Sequence, residues 1–137
     1  MFEELNNLLM ENVTEDAWYD DGCVIAKDIL SEFSEDDWNC LKDVILSRNS
    51  EWQKKIVYCL DNQLIEEELK IICKLLQSDD NELLEMCIDS LRSFDNEVGH
   101  KFMKKNPQVI QMVKNRIKGA GIVEKKMMEN FLIIFDK

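Results

Sequence analysis

Apolar residues recur three and four positions apart along nearly the whole chain, and no stretch alternates convincingly enough to form a strand. That period belongs to the α-helix, where about 3.6 residues per turn bring positions i, i+3, i+4 and i+7 onto one face. Four Gly and one Pro in 137 residues leave little for hairpins, so the helices must be joined by short connections. Hydrophobic residues make up 45%, enough for a self-sufficient core and too many for a disordered chain. One all-α domain spanning residues 1–137 is therefore expected.

Start signals place the individual helices. Phe2, Leu5, Leu8 and Leu9 mark a short first helix. Thr14 opens a second, with Trp18, Ile25, Ala26, Ile29, Leu30 and Phe33 on one side and a weak point or bend at Gly22. Ser34-Glu35-Asp36-Asp37 is a capping sequence ahead of Trp38, Leu41, Val44 and Ile45. Ser50-Glu51-Trp52-Gln53 repeats the device ahead of Ile56, Val57 and Leu60. A helix from about Leu64 to Leu76 comes next, and Ser78-Asp79-Asp80 caps another that buries Leu83, Leu84, Cys87, Ile88 and Leu91. Asp95 is placed to cap a short helix with Val98, Phe102 and Met103. Pro107 takes a favoured first helical position, and Gly119-Ala120-Gly121 breaks the chain before a last helix from about Ile122 to Phe135. Eight or nine helices result.

A repeat accompanies these helices. The segment Glu51 to Leu60 aligns with Glu82 to Leu91 at an offset of 31, and the same step back aligns Asp20, Ala26 and Ile29 with Glu51, Val57 and Leu60. Stacked helical hairpins of that length make an α-solenoid. A short HEAT-like solenoid of antiparallel hairpins is expected, with an irregular helical bundle as the alternative.

Twenty-eight Asp and Glu against 17 Lys and Arg give a net charge of −11. That sign argues against nucleic acid as a direct partner and against anionic membrane surfaces. The charge is unevenly spread: residues 1–97 hold 25 acids and 8 bases, a net −17, while residues 98–137 hold 3 acids and 9 bases, a net +6. Such a field can steer a basic partner onto one side. The basic part, with Lys101, Lys104, Lys105, Lys114, Arg116 and Lys118, either meets an acidic partner, pairs with a neighbouring subunit or balances local charge. Cys23, Cys40, Cys59, Cys73 and Cys87 include no CxxC spacing and sit mostly beside aliphatic residues, which reads as small buried hydrophobes in a reducing, cytoplasmic setting.

Little in the sequence points to chemistry. His100 is the single histidine and stands in a polar stretch without a Ser or Cys motif. The acidic pairs Asp20-Asp21, Asp36-Asp37 and Asp79-Asp80 and the run Glu66-Glu67-Glu68 fall mostly at expected helix starts, where the free N–H groups favour carboxylates. No calcium loop, GxGxxG, GKS/T or HExxH is present. The reading is of a binding protein without catalytic, metal or cofactor residues. Trp38 and Trp52 lie on apolar faces and are assigned to the core. Trp18, Tyr19, Asp20, Asp21 and Tyr58 are the candidate interface residues, because acids or polar residues share their faces. The aligned positions Asp20, Glu51 and Glu82, with Glu85 and Asp89, would form an acidic strip on the concave side of a solenoid.

The span Trp52 to Leu60, followed by Leu83 through Leu91-Arg92-Ser93-Phe94-Asp95, resembles small bacterial HEAT-like repeat proteins, some of which look like immunity proteins of polymorphic or contact-dependent growth-inhibition toxins. The similarity covers about residues 34–96, is one of style, and has no invariant motif, so no family residues carry over. It implies a short superhelix that binds one cognate toxin domain, a basic nuclease in many such systems, and blocks it. A monomer when free is expected. The rival reading is a HEAT-type adaptor docking on a cellular assembly; a HEAT-like DNA glycosylase ranks last, since it would need a basic concave face.

Overall fold

The computed structural model describes residues 1–137 and contains helices and no strand. Nine helices follow one another. They are α1 (Phe2–Met10), α2 (Glu15–Ala17 continued by Cys23–Ser31), α3 (Glu35–Val44), α4 (Ser50–Val57) and α5 (Glu66–Leu75), then α6 (Asn81–Leu91), α7 (Glu97–Lys105), α8 (Pro107–Ile117) and α9 (Ile122–Phe135). A π-helical turn, Trp18–Gly22, joins the two parts of α2 without a break, and a 3-10 turn, Ile45–Ser47, ends α3.

Five helix starts keep the 31-residue spacing, but α2, capped at Thr14 and not 31 residues before Asn49, does not. Ser34, Ile65 and Asn96 are the N-caps of α3, α5 and α7; Asn49 and Asp80 are those of α4 and α6. The Ser34 hydroxyl accepts from the Asp37 N–H at 3.2 Å, and the Asp37 carboxylate accepts from the Ser34 N–H at 3.0 Å, a complete capping box. Thr14 caps α2 through the Ala17 N–H at 3.1 Å. Two expected caps move by one residue. Asn49 takes the role assigned to Ser50, accepting from the Trp52 N–H at 2.9 Å, while the Ser50 hydroxyl donates to the Asp80 carboxylate. Asn96 takes the role assigned to Asp95, accepting from the Gly99 N–H at 2.8 Å. Asp95 meets His100 Nε2 at 2.7 Å instead. The helix expected from Leu64 begins only at Glu66, because Leu64 has φ 59°, a left-handed conformation that a helix cannot continue.

The helices lie in two rows. In one, α2 packs on α4, α4 on α6 and α6 on α9; in the other, α3 packs on α5 and α5 on α7. The rows meet where α5 packs on α6, α1 sits against α2, α3 and α4, and α8 contacts α7 and α9. Their facing sides form one continuous cluster of 29 buried residues, so packing runs unbroken from Leu5 to Phe135. Trp38 and Trp52 belong to it, and the Trp52 indole N–H finds Asn6 Oδ1 at 3.2 Å.

The π turn corrects the expected face of α2. In a regular helix Trp18 and Ile25, seven apart, would share a side. Here the Cys23 N–H bonds back five residues to the Trp18 carbonyl, so the buried line runs Trp18, Cys23, Ala26, Leu30 and leaves Ile25 52% exposed. Gly22 permits the arrangement: a Cβ there would lie 2.4 Å from Cε3 of the Trp18 ring. Helix propensity alone gives Gly22→Ala a gain of about 1 kcal/mol. The buried ring reverses that sign, and a loss of about 2 kcal/mol is expected in urea unfolding. An unchanged or raised midpoint would mean that the indole moves freely.

All five cysteines are free; Cys23, Cys59 and Cys87 are buried, Cys73 is half-buried, and Cys40 is exposed, against the expectation of a buried set. Burial raises the Cys73 and Cys87 thiols to about 12, which keeps them protonated and unreactive at neutral pH. No helix is long and apolar enough to cross a membrane.

Candidate partner-binding groove

Two adjoining concavities run along the row formed by α2, α4 and α6. One, of about 640 Å³, lies between the α1–α2 connection and α4. The other, of about 670 Å³, lies among α2, α4 and α6. Tyr19 and Glu82 line both, so the two make one groove.

At its centre Tyr19 and Tyr58 pack together with ring centroids 4.4 Å apart, yet remain 39% and 41% exposed. Helical phase puts them there. Tyr58, the C-cap of α4, follows Glu51, Lys54 and Lys55 at i+7, i+4 and i+3, and Tyr19 occupies the π turn next to buried Trp18. Burial raises the Tyr19 hydroxyl above its ordinary pKa, helped by the negative charge of Glu15 and Glu82 and by Tyr58. Glu82 accepts a hydrogen bond from Lys54 Nζ at 3.1 Å, and Asp80 stands 3.5 Å from the same ammonium. Burial works against the charged Lys54, but these carboxylates outweigh it and its pKa is raised. Hydrogen bonds from Ser50 and the Leu83 N–H, with Lys54 beside it, hold the Asp80 carboxyl below the usual carboxylate range. That share of stability is present above the ordinary pKa and is lost as pH falls through the lowered one.

Several cations also line the groove. Lys55 Nζ bonds the carbonyls of Leu9 at 3.2 Å and Glu11 at 2.9 Å, pinning the α1–α2 connection, and lies 5.5 Å above the Trp18 ring. The Arg48 guanidinium lies 5.5 Å over the Trp52 ring, its buried Nε without a protein acceptor. Lys27 stands 5.9 Å over Tyr58.

The structure gathers some of the sequence candidates and disperses others. Tyr19, Tyr58, Glu51, Glu82 and Asp89 line the groove. Trp18 is 2% exposed; its indole N–H donates to the Lys55 carbonyl at 3.3 Å, and its ring forms part of the floor rather than a free anchor. Asp20 and Asp21 are exposed in the middle of α2, not at a helix start, and line neither concavity. Glu85 is half-buried and lies outside both. The expected acidic strip is therefore a mixed one, in which six carboxylates alternate with four cations. The missed residues had a signal: Lys54 and Lys55 sit three and four places after Glu51, hence on its face.

No group of three or more His, Cys, Asp or Glu side chains converges in a way that could hold a metal ion. A pair of exposed phenol rings flanked by Asp61, Glu82 and Asp89 suits a cationic side chain, held over the ring face and by the carboxylates together. No protein-family model, curated protein or solved structure matches the chain.

Proposed function

We propose that this chain is an immunity-type protein that binds a basic toxin domain, a nuclease in the simplest case, and blocks it by protein–protein contact in the cytoplasm. The observation that carries the reading is the Tyr19–Tyr58 pair, left exposed in a carboxylate-flanked groove of a chain with net charge −11. Aromatic anchors at the centre of an interface contribute most of the binding energy, and surrounding charges set specificity and on-rate. A nuclease that holds nucleic acid with Lys and Arg offers the complementary surface. The two helix rows and the 31-residue spacing of the N-caps support a short HEAT-like α-solenoid with the α2–α4–α6 row on its concave side.

Co-expression with the toxin encoded beside the gene should restore growth, and the two proteins should co-elute on size exclusion. Failure of both, with capture of a housekeeping assembly instead, would favour the adaptor reading. Tyr58→Ala is expected to weaken toxin binding roughly 30-fold, about 2 kcal/mol. Glu82→Lys with Asp89→Lys should lower the association rate and flatten its salt dependence. Glu85→Lys, outside the groove, serves as the control and should change neither.

A further inference from the structure

The helix row that carries the groove ends in two uncovered and dissimilar helices. At one end, α2 turns Cys23, Ala26 and Leu30 inward and leaves Val24 55% and Ile25 52% exposed, with Asp28 and Glu32 exposed on the same outward side. At the other end, α9 turns Met128, Phe131 and Phe135 inward and leaves Ile122 81%, Val123 77% and Ile133 72% exposed. At about 100° per residue, Ile122, Lys126 and Ile133 fall within one quadrant, opposite the buried line. Lys125 and Lys126 are exposed on that helix, as is one carboxylate, Glu129, on the same side. Helices that close a stacked array ordinarily turn a polar face outward, so branched apolar residues this exposed at both ends are unexpected unless something covers them.

We infer that the outward face of α9 packs against the outward face of α2 in a second copy of this chain, joining copies head to tail. The junction continues the row, repeating between copies the kind of contact α4 makes with α2 and α6 within one. Val24 and Ile25 meet Ile122, Val123 and Ile133, which supplies the apolar contact. Asp28 and Glu32 meet Lys125 and Lys126, which favours this pairing over α2 against α2, where carboxylates would face carboxylates. Because the two contacting faces differ, the contact is heterologous and adds copies successively. Val24, Ile25, Asp28 and Glu32 line no part of the groove among α2, α4 and α6, so the inference stands apart from the proposed toxin binding.

Sedimentation velocity on the full chain over a dilution series tests it. Association should rise with concentration and weaken as ionic strength increases past about 0.15 M. Val24→Lys with Ile25→Lys blocks the head, and Ile122→Glu with Ile133→Glu blocks the tail; all four positions are more than half exposed. Each double variant alone should remain monomeric, while an equimolar mixture should form dimers that grow no further. Should a double variant fold poorly, Asp28→Lys and Lys126→Glu replace it: each alone weakens association roughly tenfold, and both in one chain restore it. A wild-type monomer at every concentration, undiminished association of the head-blocked variant, or a mixture that stays monomeric would each overturn the inference.

Discussion

Glu68→Ala is expected to lower the free energy of unfolding by about 3 kcal/mol, read as a fall in the urea midpoint at unchanged slope. Glu68 is 0% exposed, and its partners are backbone amides rather than cations. Its carboxyl group accepts from the N–H groups of Asn62 at 3.3 Å, Gln63 at 3.2 Å and Ile65 at 3.0 Å. It thereby holds the connection from α4 to α5, including Leu64 in its left-handed conformation. Alanine leaves three N–H groups of this partly buried connection without their acceptor and empties the buried space the carboxyl group filled.

The charge on Glu68 can be separated from its hydrogen bonds. Burial raises its pKa, and the backbone donors offset only part of that. A carboxyl group whose folded pKa is raised contributes fully below its unfolded pKa and loses that contribution as pH rises through the folded value. The stability gap between the wild type and Glu68→Gln should therefore narrow from acid to neutral pH. A gap that widens would mean that the amide donors outweigh desolvation.

Gly99→Ala is expected to cost roughly 3 kcal/mol, about 10 °C in thermal midpoint for a chain of this size. A Cβ at Gly99 would lie 1.8 Å from the Phe94 carbonyl oxygen. That carbonyl is backbone, already accepts from the Asn96 N–H at 2.8 Å, and belongs to a residue that is 0% exposed. No rotamer relieves the overlap, so either α7 shifts from its cap on Asn96 or Phe94 leaves the core. Gly119→Ala is the control: a Cβ there meets nothing within 4 Å, and the substitution should be neutral or stabilise by about 0.5 kcal/mol. Equal losses at the two glycines would show that backbone freedom, not the Phe94 carbonyl, is what matters.

Much of the helical layout was legible in the sequence. The start of α3, the opening of α2 at Thr14, Pro107 at the head of α8 and the break at Gly119-Ala120-Gly121 all depend on a few neighbouring residues, and the structure places them as read. The caps of α4 and α7 were missed by one position because Asn49-Ser50 and Asp95-Asn96 each offer two capable side chains. Which one caps depends on where the other finds a partner, Asp80 on the next helix of the row for Ser50 and the nearby imidazole of His100 for Asp95. The exposure of Ile25 was illegible for a related reason. Nothing local marks a π turn except a glycine, and what holds it is the packing of the Trp18 ring on that glycine.

The groove divides in the same way. Helical phase fixes that Glu51, Lys54, Lys55 and Tyr58 share a side of α4, whatever surrounds that helix. Period and capping therefore determined, from the sequence by itself, that the chain is helical, roughly where each helix starts, and which residues most of them turn inward. Only the tertiary structure decided that Tyr19 meets Tyr58, that Trp18 lies beneath the groove, and that Asp20, Asp21 and Glu85 fall outside it. The physical reason is range: capping hydrogen bonds and apolar periodicity act within a turn or two of helix. The relative rotation of packed helices is set by the interdigitation of side chains distant in the sequence.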